Sequence, residues 1–282
     1  MTSHQRFRAA ATNCAYRFYS LEYFFSSSQR EGFDAVELWC GPMHFFMDYA
    51  ANDSVSHIAA LSKKSGLPIC AICPEQNNPK PSNVAARGDD AIRRSRQYFK
   101  RAIDVAADLG AGMVSITSGW GFLDESRETA WDRSVRMLST LGSYAGERGV
   151  TLALEALQPE ESNLCNCARD LRTMLEDVGS AHLKVLLDTG AMWRAGESVR
   201  DYMDAFGKDV VHCHFTDARE TSHLAWGDGV RDMRGDLLAL AEAGYSGCLT
   251  FESVDPRYFV DPAAADRQSL AALKRNLEEF DT

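Results

Sequence analysis

The sequence predicts a closed (β/α)₈ barrel, and three observations predict it. Short β-rich runs alternate with longer amphipathic stretches along the whole chain, eight of each. Such alternation demands a parallel sheet, because parallel neighbours need crossover connections rather than tight turns. The 282 residues are close to the roughly 250 of one such barrel. No Pro/Ser-rich linker, low-complexity tract or long repeat marks a second domain, so residues 1–282 read as one domain with a short polar extension over residues 1–7. An open doubly wound sheet would carry a Gly-rich phosphate loop after its first strand, and that turn here reads Asn13-Cys14-Ala15-Tyr16-Arg17.

Taken in order, the predicted strands are Arg8–Cys14, Ala35–Trp39, Pro68–Ile72, Met113–Thr117, Thr151–Glu155, Leu183–Asp188, Val210–Phe215 and Cys248–Glu252. Helices are predicted near 20–31, 53–66, 88–109, 126–148, 166–178, 198–206, 231–243 and 262–279. Gly32, Gly66, Gly110, Gly149, Gly179, Gly207 and Gly244 punctuate most helix exits. The helix over 88–109 shows the 3.6-residue period, with Ile92, Phe99, Ile103, Ala106 and Ala107 on one stripe.

Composition narrows the function. Forty acidic against 30 basic residues give a net charge of −10, which repels nucleic acid and anionic membranes. No apolar run approaches the roughly 20 residues of a membrane span. Eight cysteines fall mostly inside apolar runs, where a thiol packs as a small hydrophobe, and a reducing cytoplasm is the expected compartment. Cys70-Ala71-Ile72-Cys73 is half of a zinc or redox motif with no second half, and strand packing is its expected role.

In this architecture chemistry gathers where the strands end, and four strand ends carry metal-type ligands. The runs Leu152-Ala153-Leu154-Glu155, Val185-Leu186-Leu187-Asp188, Val210-Val211-His212-Cys213-His214 and Cys248-Leu249-Thr250-Phe251-Glu252 each finish on a charged or imidazole group. Positions 155, 188, 214 and 252 are 33, 26 and 38 residues apart, one βα unit each time. Three carboxylates and one imidazole suit a hard or borderline divalent ion with positions open to substrate oxygens. Mn²⁺ is the first expectation and Mg²⁺, Co²⁺ or Zn²⁺ are the alternatives. His212 shares a strand face with His214 and is read as an interior histidine or as support for its neighbour.

These residues and their surroundings resemble the xylose-isomerase-like TIM barrel superfamily of sugar isomerases and epimerases, and within it the ketose 3-epimerases of the fructoselysine 3-epimerase-like branch. The matching stretches are Glu37-Leu38-Trp39 with His44, Pro74-Glu75-Gln76-Asn77, Glu155 through Asn163, Asp188, His212 through Asp217, His223 with Gly227-Asp228-Gly229, and Gly244-Tyr245-Ser246-Gly247 leading to Glu252. The resemblance implies a metal on Glu155, Asp188, His214 and Glu252, with Glu155 and Glu252 doubling as the acid/base pair. It implies substrate contacts at Glu161 and His223. Ala191 stands where many sugar 3-epimerases carry a substrate-contacting His, which puts a free ketohexose in doubt.

The expected reaction is 3-epimerisation of a ketose or ketose amine through a metal-stabilised cis-enediolate, without nicotinamide or flavin. His44 and Glu75 are further candidate substrate contacts. Phe7, Tyr16, Trp39, Phe45, Phe46, Trp120 and Trp226 are candidate walls, with Trp39 and Trp120 the best placed. An inosose-type dehydratase or an aldose–ketose isomerase would use the same residues. A DNA-repair endonuclease would need more ligands than seven histidines supply, and a sugar-binding regulatory barrel would not need both carboxylates. Trp193 and Tyr258 are candidates for pairing copies into a homo-oligomer.

Overall fold

The computed structural model describes residues 7–76 and 80–278; residues 1–6 of the polar extension, and Asn77, lie outside them. Eight parallel strands hydrogen-bond in chain order and close on themselves as a barrel. They are β1 (Arg8–Thr12), β2 (Ala35–Trp39), β3 (Ile69–Cys73), β4 (Met113–Thr117), β5 (Thr151–Glu155), β6 (Leu183–Asp188), β7 (Val210–His214) and β8 (Cys248–Phe251). The α-helices are α1 (Leu21–Glu31), α2 (Val55–Ser65), α3 (Asp89–Leu109), α4 (Arg127–Glu147), α5 (Ala168–Val178), α6 (Thr189–Arg194), α7 (Val199–Phe206), α8 (Met233–Glu242) and α9 (Pro262–Glu278).

The chain packs as two compact units. One comprises residues up to Glu37, Ala60–Cys70 and the chain from Leu187 onward; the other comprises Leu38–Ala59 and Ala71–Leu186. The divisions fall within β2, α2, β3 and β6 rather than in linkers.

In the first unit β1 is Arg-Ala-Ala-Ala-Thr, a poor strand by propensity. It is a strand because both edges are paired, Ala10 with Ala35 on one side and with Thr250 on the other. Ala10, Ala35 and Cys248 pack with Cys70, and these small side chains fill the narrow space between strands. Two residues along each strand the lining turns polar, at Thr12, Glu37 and Thr250, as the period of two requires. Strand β1 ends at Thr12 rather than Cys14 because a turn closes there, Tyr16 N donating to Asn13 O at 3.0 Å. Helix α1 starts on Ser20, whose side chain accepts from Tyr23 N, and stops at Gly32 with φ 89°. It buries Leu21, Phe24 and Phe25, each worth about 1.5–3 kcal/mol against exposure.

In the second unit Gln76, three residues past the end of β3, binds β4 twice: Nε2 donates to Ser115 O (3.1 Å) and Oε1 accepts from Thr117 N (3.0 Å). Strand β3 begins after Pro68, whose missing N–H suits a strand entry. Cys70 and Cys73 are three apart on β3 and so face opposite ways, which rules out a shared ligand role. Helix α3 buries Phe99, Ile103 and Ala106 of the expected stripe, with Ser95, Tyr98, Ala102 and Val105, while Ile92 and Ala107 are half-buried.

Helix α6 was not expected. Asp188 ends β6 and at once caps α6, its Oδ1 accepting from Gly190 N at 2.7 Å. Two single-turn 3₁₀ segments, Gly207–Asp209 and Pro256–Tyr258, are likewise additions to the eight predicted helices. Tyr258 is buried rather than exposed, donating to Asp228 Oδ2 at 2.6 Å, so it is no candidate for pairing copies.

Candidate active site

Glu155, Asp188, His214 and Glu252 each bring one ligand atom to a point where all four atoms lie within 4.8 Å of one another. Glu155, Asp188 and His214 are the last residues of β5, β6 and β7, and Glu252 follows β8 by one residue. Three are buried and Glu252 is 17% exposed. Three carboxylates at this separation concentrate negative charge, which a divalent cation balances. The oxygen-rich set with one imidazole fits a hard or borderline ion rather than a closed thiolate site. This buried cluster could hold a divalent metal.

Imidazoles organise the cluster. His214 turns Nδ1 toward Glu252 Oε2 at 3.1 Å and Nε2 toward Glu37 Oε1 at 3.1 Å. Glu37 is 1% exposed and also takes His212 Nε2 on Oε2 at 2.6 Å; Thr250 Oγ1 lies 3.2 Å from the same nitrogen. Burial alone would raise the Glu37 carboxyl, yet the charges and hydrogen bonds of His214 and His212 outweigh it and hold it well below the usual range. Glu37 stood in a recognised stretch of sequence but was not read as functional. A charged residue in mid-strand, beneath the strand-end ligands, was the available signal.

His223 joins the cluster from the loop after β7, with Nε2 3.0 Å from Asp188 Oδ2 and 3.6 Å from Glu252 Oε2. Burial opposes the Asp188 charge, but the His223 charge and hydrogen bond, followed by His214 and Gly190 N, keep its carboxyl below its ordinary value. Ser222 Oγ meets His223 Nδ1 at 2.8 Å. His223 has φ 58°, a left-handed conformation costing about 1 kcal/mol for a non-glycine residue, which the loop overcomes through Asp217. That carboxylate accepts from Ala218 N, Gly227 N, Gly229 N and Arg231 N at 2.8–3.0 Å. Asp217 and the two glycines, noted in the sequence as a motif, are thus the frame that presents His223. A Cβ on Gly229 would lie 2.3 Å from Asp217 Oδ1.

The other candidates lie on loops at the same ends of their strands. Trp39 ends β2, and its ring lies where a Gly41 Cβ would sit, 2.0 Å away. Its ring meets His44, which is 9% exposed, edge to face at 6.3 Å. Glu75 pairs with Lys80 at 3.1 Å. Trp120 follows β4 and keeps a buried Nε1 that finds no hydrogen-bond partner among the described residues, a donor that such a position seldom leaves unused. Glu161 is half-buried beside Gln158 Nε2, 3.4 Å away. Four aromatics expected as walls, Phe7, Phe45, Tyr16 and Trp226, are core instead. Tyr16 is fully buried with its hydroxyl on Asp266 Oδ2 at 2.6 Å, and Trp226 packs against Phe215 with rings tilted by 39° while donating to Phe215 O.

Residues 25–276 match the family model described as Xylose isomerase-like TIM barrel. The chain is 31% identical to fructoselysine 3-epimerase of Shigella flexneri over 94% of its own length and 96% of that protein's. It is 25% identical to a D-psicose 3-epimerase of Enterocloster bolteae over 78% of its length and 72% of the relative's. A solved L-ribulose 3-epimerase shares the fold with a TM-score of 0.82 at 24% identity, over 97% of this chain and 95% of that one.

Proposed function

The chain belongs to the xylose isomerase-like TIM barrel family and is a carbohydrate epimerase, and from that premise we propose that it inverts C3 of a ketose or ketose amine with a divalent metal as cofactor. One observation carries the reading: Glu155 and Glu252, from separate strands, share a ligand cluster with Asp188 and His214. Inversion needs a proton taken from one face of C3 and returned to the other, and two carboxylates on different strands provide both roles.

The ion, Mn²⁺ first and Mg²⁺, Co²⁺ or Zn²⁺ otherwise, would be held by Glu155, Asp188, His214 and Glu252, and when bound supplies Lewis-acid polarisation of the ketose carbonyl. One carboxylate of the pair removes the C3 proton, leaving a cis-enediolate, and the other protonates the opposite face. Asp188 stays ionised under His223, and His223 Nε2, 3.6 Å from Glu252, is placed to steady that carboxylate as it gains and loses its proton. Glu161, His223, His44, Glu75, Trp39 and Trp120 are the substrate contacts of this reading. No nicotinamide or flavin enters it. None of the eight cysteines is in a disulfide among the described residues, which supports a reducing, cytoplasmic setting, and unit boundaries inside strands and a helix support a single domain.

The test is solvent exchange. The Mn²⁺-loaded protein is incubated in D₂O with fructoselysine, psicose, fructose and tagatose, and C–H signals are followed by NMR. Deuterium should enter C3 together with the epimer, and Glu155→Gln or Glu252→Gln should slow it by about 10²–10⁴-fold. Deuterium at C1 or C2 would instead identify an aldose–ketose isomerase. Loss of water, or no exchange on any ketose despite bound metal, would overturn 3-epimerisation.

A further inference from the structure

A pocket of about 440 Å³, walled by Trp193, Arg219, Glu220 and Val230, has no part in the proton chemistry. It lies on segments that leave the metal ligands directly. Helix α6 begins on Asp188, and the loop after His214 comes down on its first turn. A Cβ on Gly190 would stand 3.0 Å from Ser222 Cβ and 3.3 Å from His223 N, and His223 reaches Asp188 at 3.0 Å. The same two segments meet again farther on, where Trp193 Nε1 donates to Arg219 O at 3.1 Å. From Asp188 to Trp193 is five residues, about 7.5 Å of helical rise.

The walls are of two kinds. Trp193 (38% exposed) and Val230 (56% exposed) offer apolar surface, while Arg219 and Glu220 are exposed charges of opposite sign. Among the described residues neither of those two side chains makes a hydrogen bond or ion pair. An adjacent, uncommitted cation and anion beside an indole form a complement to a zwitterion on an apolar stem.

We infer that this pocket holds the amino-acid end of a ketose amine, Arg219 taking the α-carboxylate, Glu220 the α-ammonium, and Trp193 covering the methylene chain. A guanidinium grips a carboxylate through paired N–H donors, and an indole face both packs methylenes and attracts an ammonium. The span agrees. From C3 of a ketose carried on a lysine side-chain nitrogen to the lysine α-carbon is about eight bonds, roughly 10 Å extended. That reach exceeds the roughly 7.5 Å of helical rise between Asp188 and Trp193. The inference rests on the proposed ketose epimerisation and names its substrate class.

The test compares fructoselysine, the same ketose on butylamine (chain but no zwitterion) and psicose, using wild type, Arg219→Ala, Glu220→Ala and the double variant. Wild type should prefer fructoselysine to the butylamine adduct by about tenfold or more in kcat/KM. Each substitution should remove about tenfold of that preference through KM, leaving kcat on the butylamine adduct and the metal content unchanged. A preference that persists in the double variant, or never existed, overturns the inference. Binding of Nε-acetyl-lysine, which has the zwitterion and no ketose, is read in parallel by indole fluorescence against Trp193→Phe. Zwitterion binding that depends on Arg219 and Glu220, without C3 exchange on any ketose, would keep the pocket and discard the epimerase reading. Normal psicose epimerisation with no zwitterion binding would discard the pocket and keep the epimerase.

Discussion

An imidazole can present only one lone pair, so the nitrogen that carries the proton decides which face of His214 can bind an ion. Glu37 lies on the Nε2 side and Glu252 on the Nδ1 side. With the proton on Nε2 and donated to Glu37, Nδ1 is left with its lone pair directed into the cluster. Glu37→Gln keeps the size of the side chain and loses that preference, since an amide can donate to Nε2 as well as accept from it. The expected result is a drop of about 10–100-fold in metal affinity, measured by titration calorimetry, with the fold intact by circular dichroism. Unchanged affinity would mean that Glu37 serves the polar interior alone. Strand-end spacing made the four ligands legible in the sequence. It could not reveal Glu37, which sits in mid-strand two residues before the end of β2.

Tyr16 and Asp266 join the turn after β1 to helix α9 in the first unit, and their bond gives that junction a pH dependence. Burial raises the Asp266 carboxyl to about 7, and the Tyr16 hydrogen bond only partly offsets this. Folded Asp266 therefore holds its proton over a range where the unfolded chain has lost it. The group's contribution is greatest below its ordinary value and falls as pH rises to about 7, by up to roughly 4 kcal/mol. Asp266→Asn should remove that fall, so urea midpoints of variant and wild type should differ more at pH 8 than at pH 5. Tyr16→Phe removes a donor that favours the carboxylate and should extend the fall to higher pH. Most elements were legible because strands and helices alternate and because the helix exits carry glycines, such as Gly32, Gly110, Gly179 and Gly207. Helix α6 was not, because six residues show no period and its cap, Asp188, also ends a strand. Tyr16 was misread as a wall because a sequence shows an aromatic after a strand but not which helix covers it.

Across the whole molecule, an ion bound at the clustered carboxylates would make stability depend on it. The cluster's three carboxylates repel one another without a cation, and an ion at one hundred times its Kd adds about 2.7 kcal/mol. Chelation with EDTA should abolish C3 exchange and lower the melting temperature. Glu155→Gln should reverse sign between the two forms, more stable than wild type without metal and less stable with it. Equal shifts in both forms would count against a metal at this cluster. The loop after β7 has a consequence for how such a molecule diversifies. Its shape is fixed at its two ends, by Asp217 on one side and by Gly227, Gly229 and Arg231 N–H groups on the other. Residues 219–222 between them are largely exposed and free of that latch. Selection can therefore exchange these exposed residues while the frame that presents His223 persists, and a library randomised at Arg219, Glu220 and Thr221 should retain a high fraction of folded members.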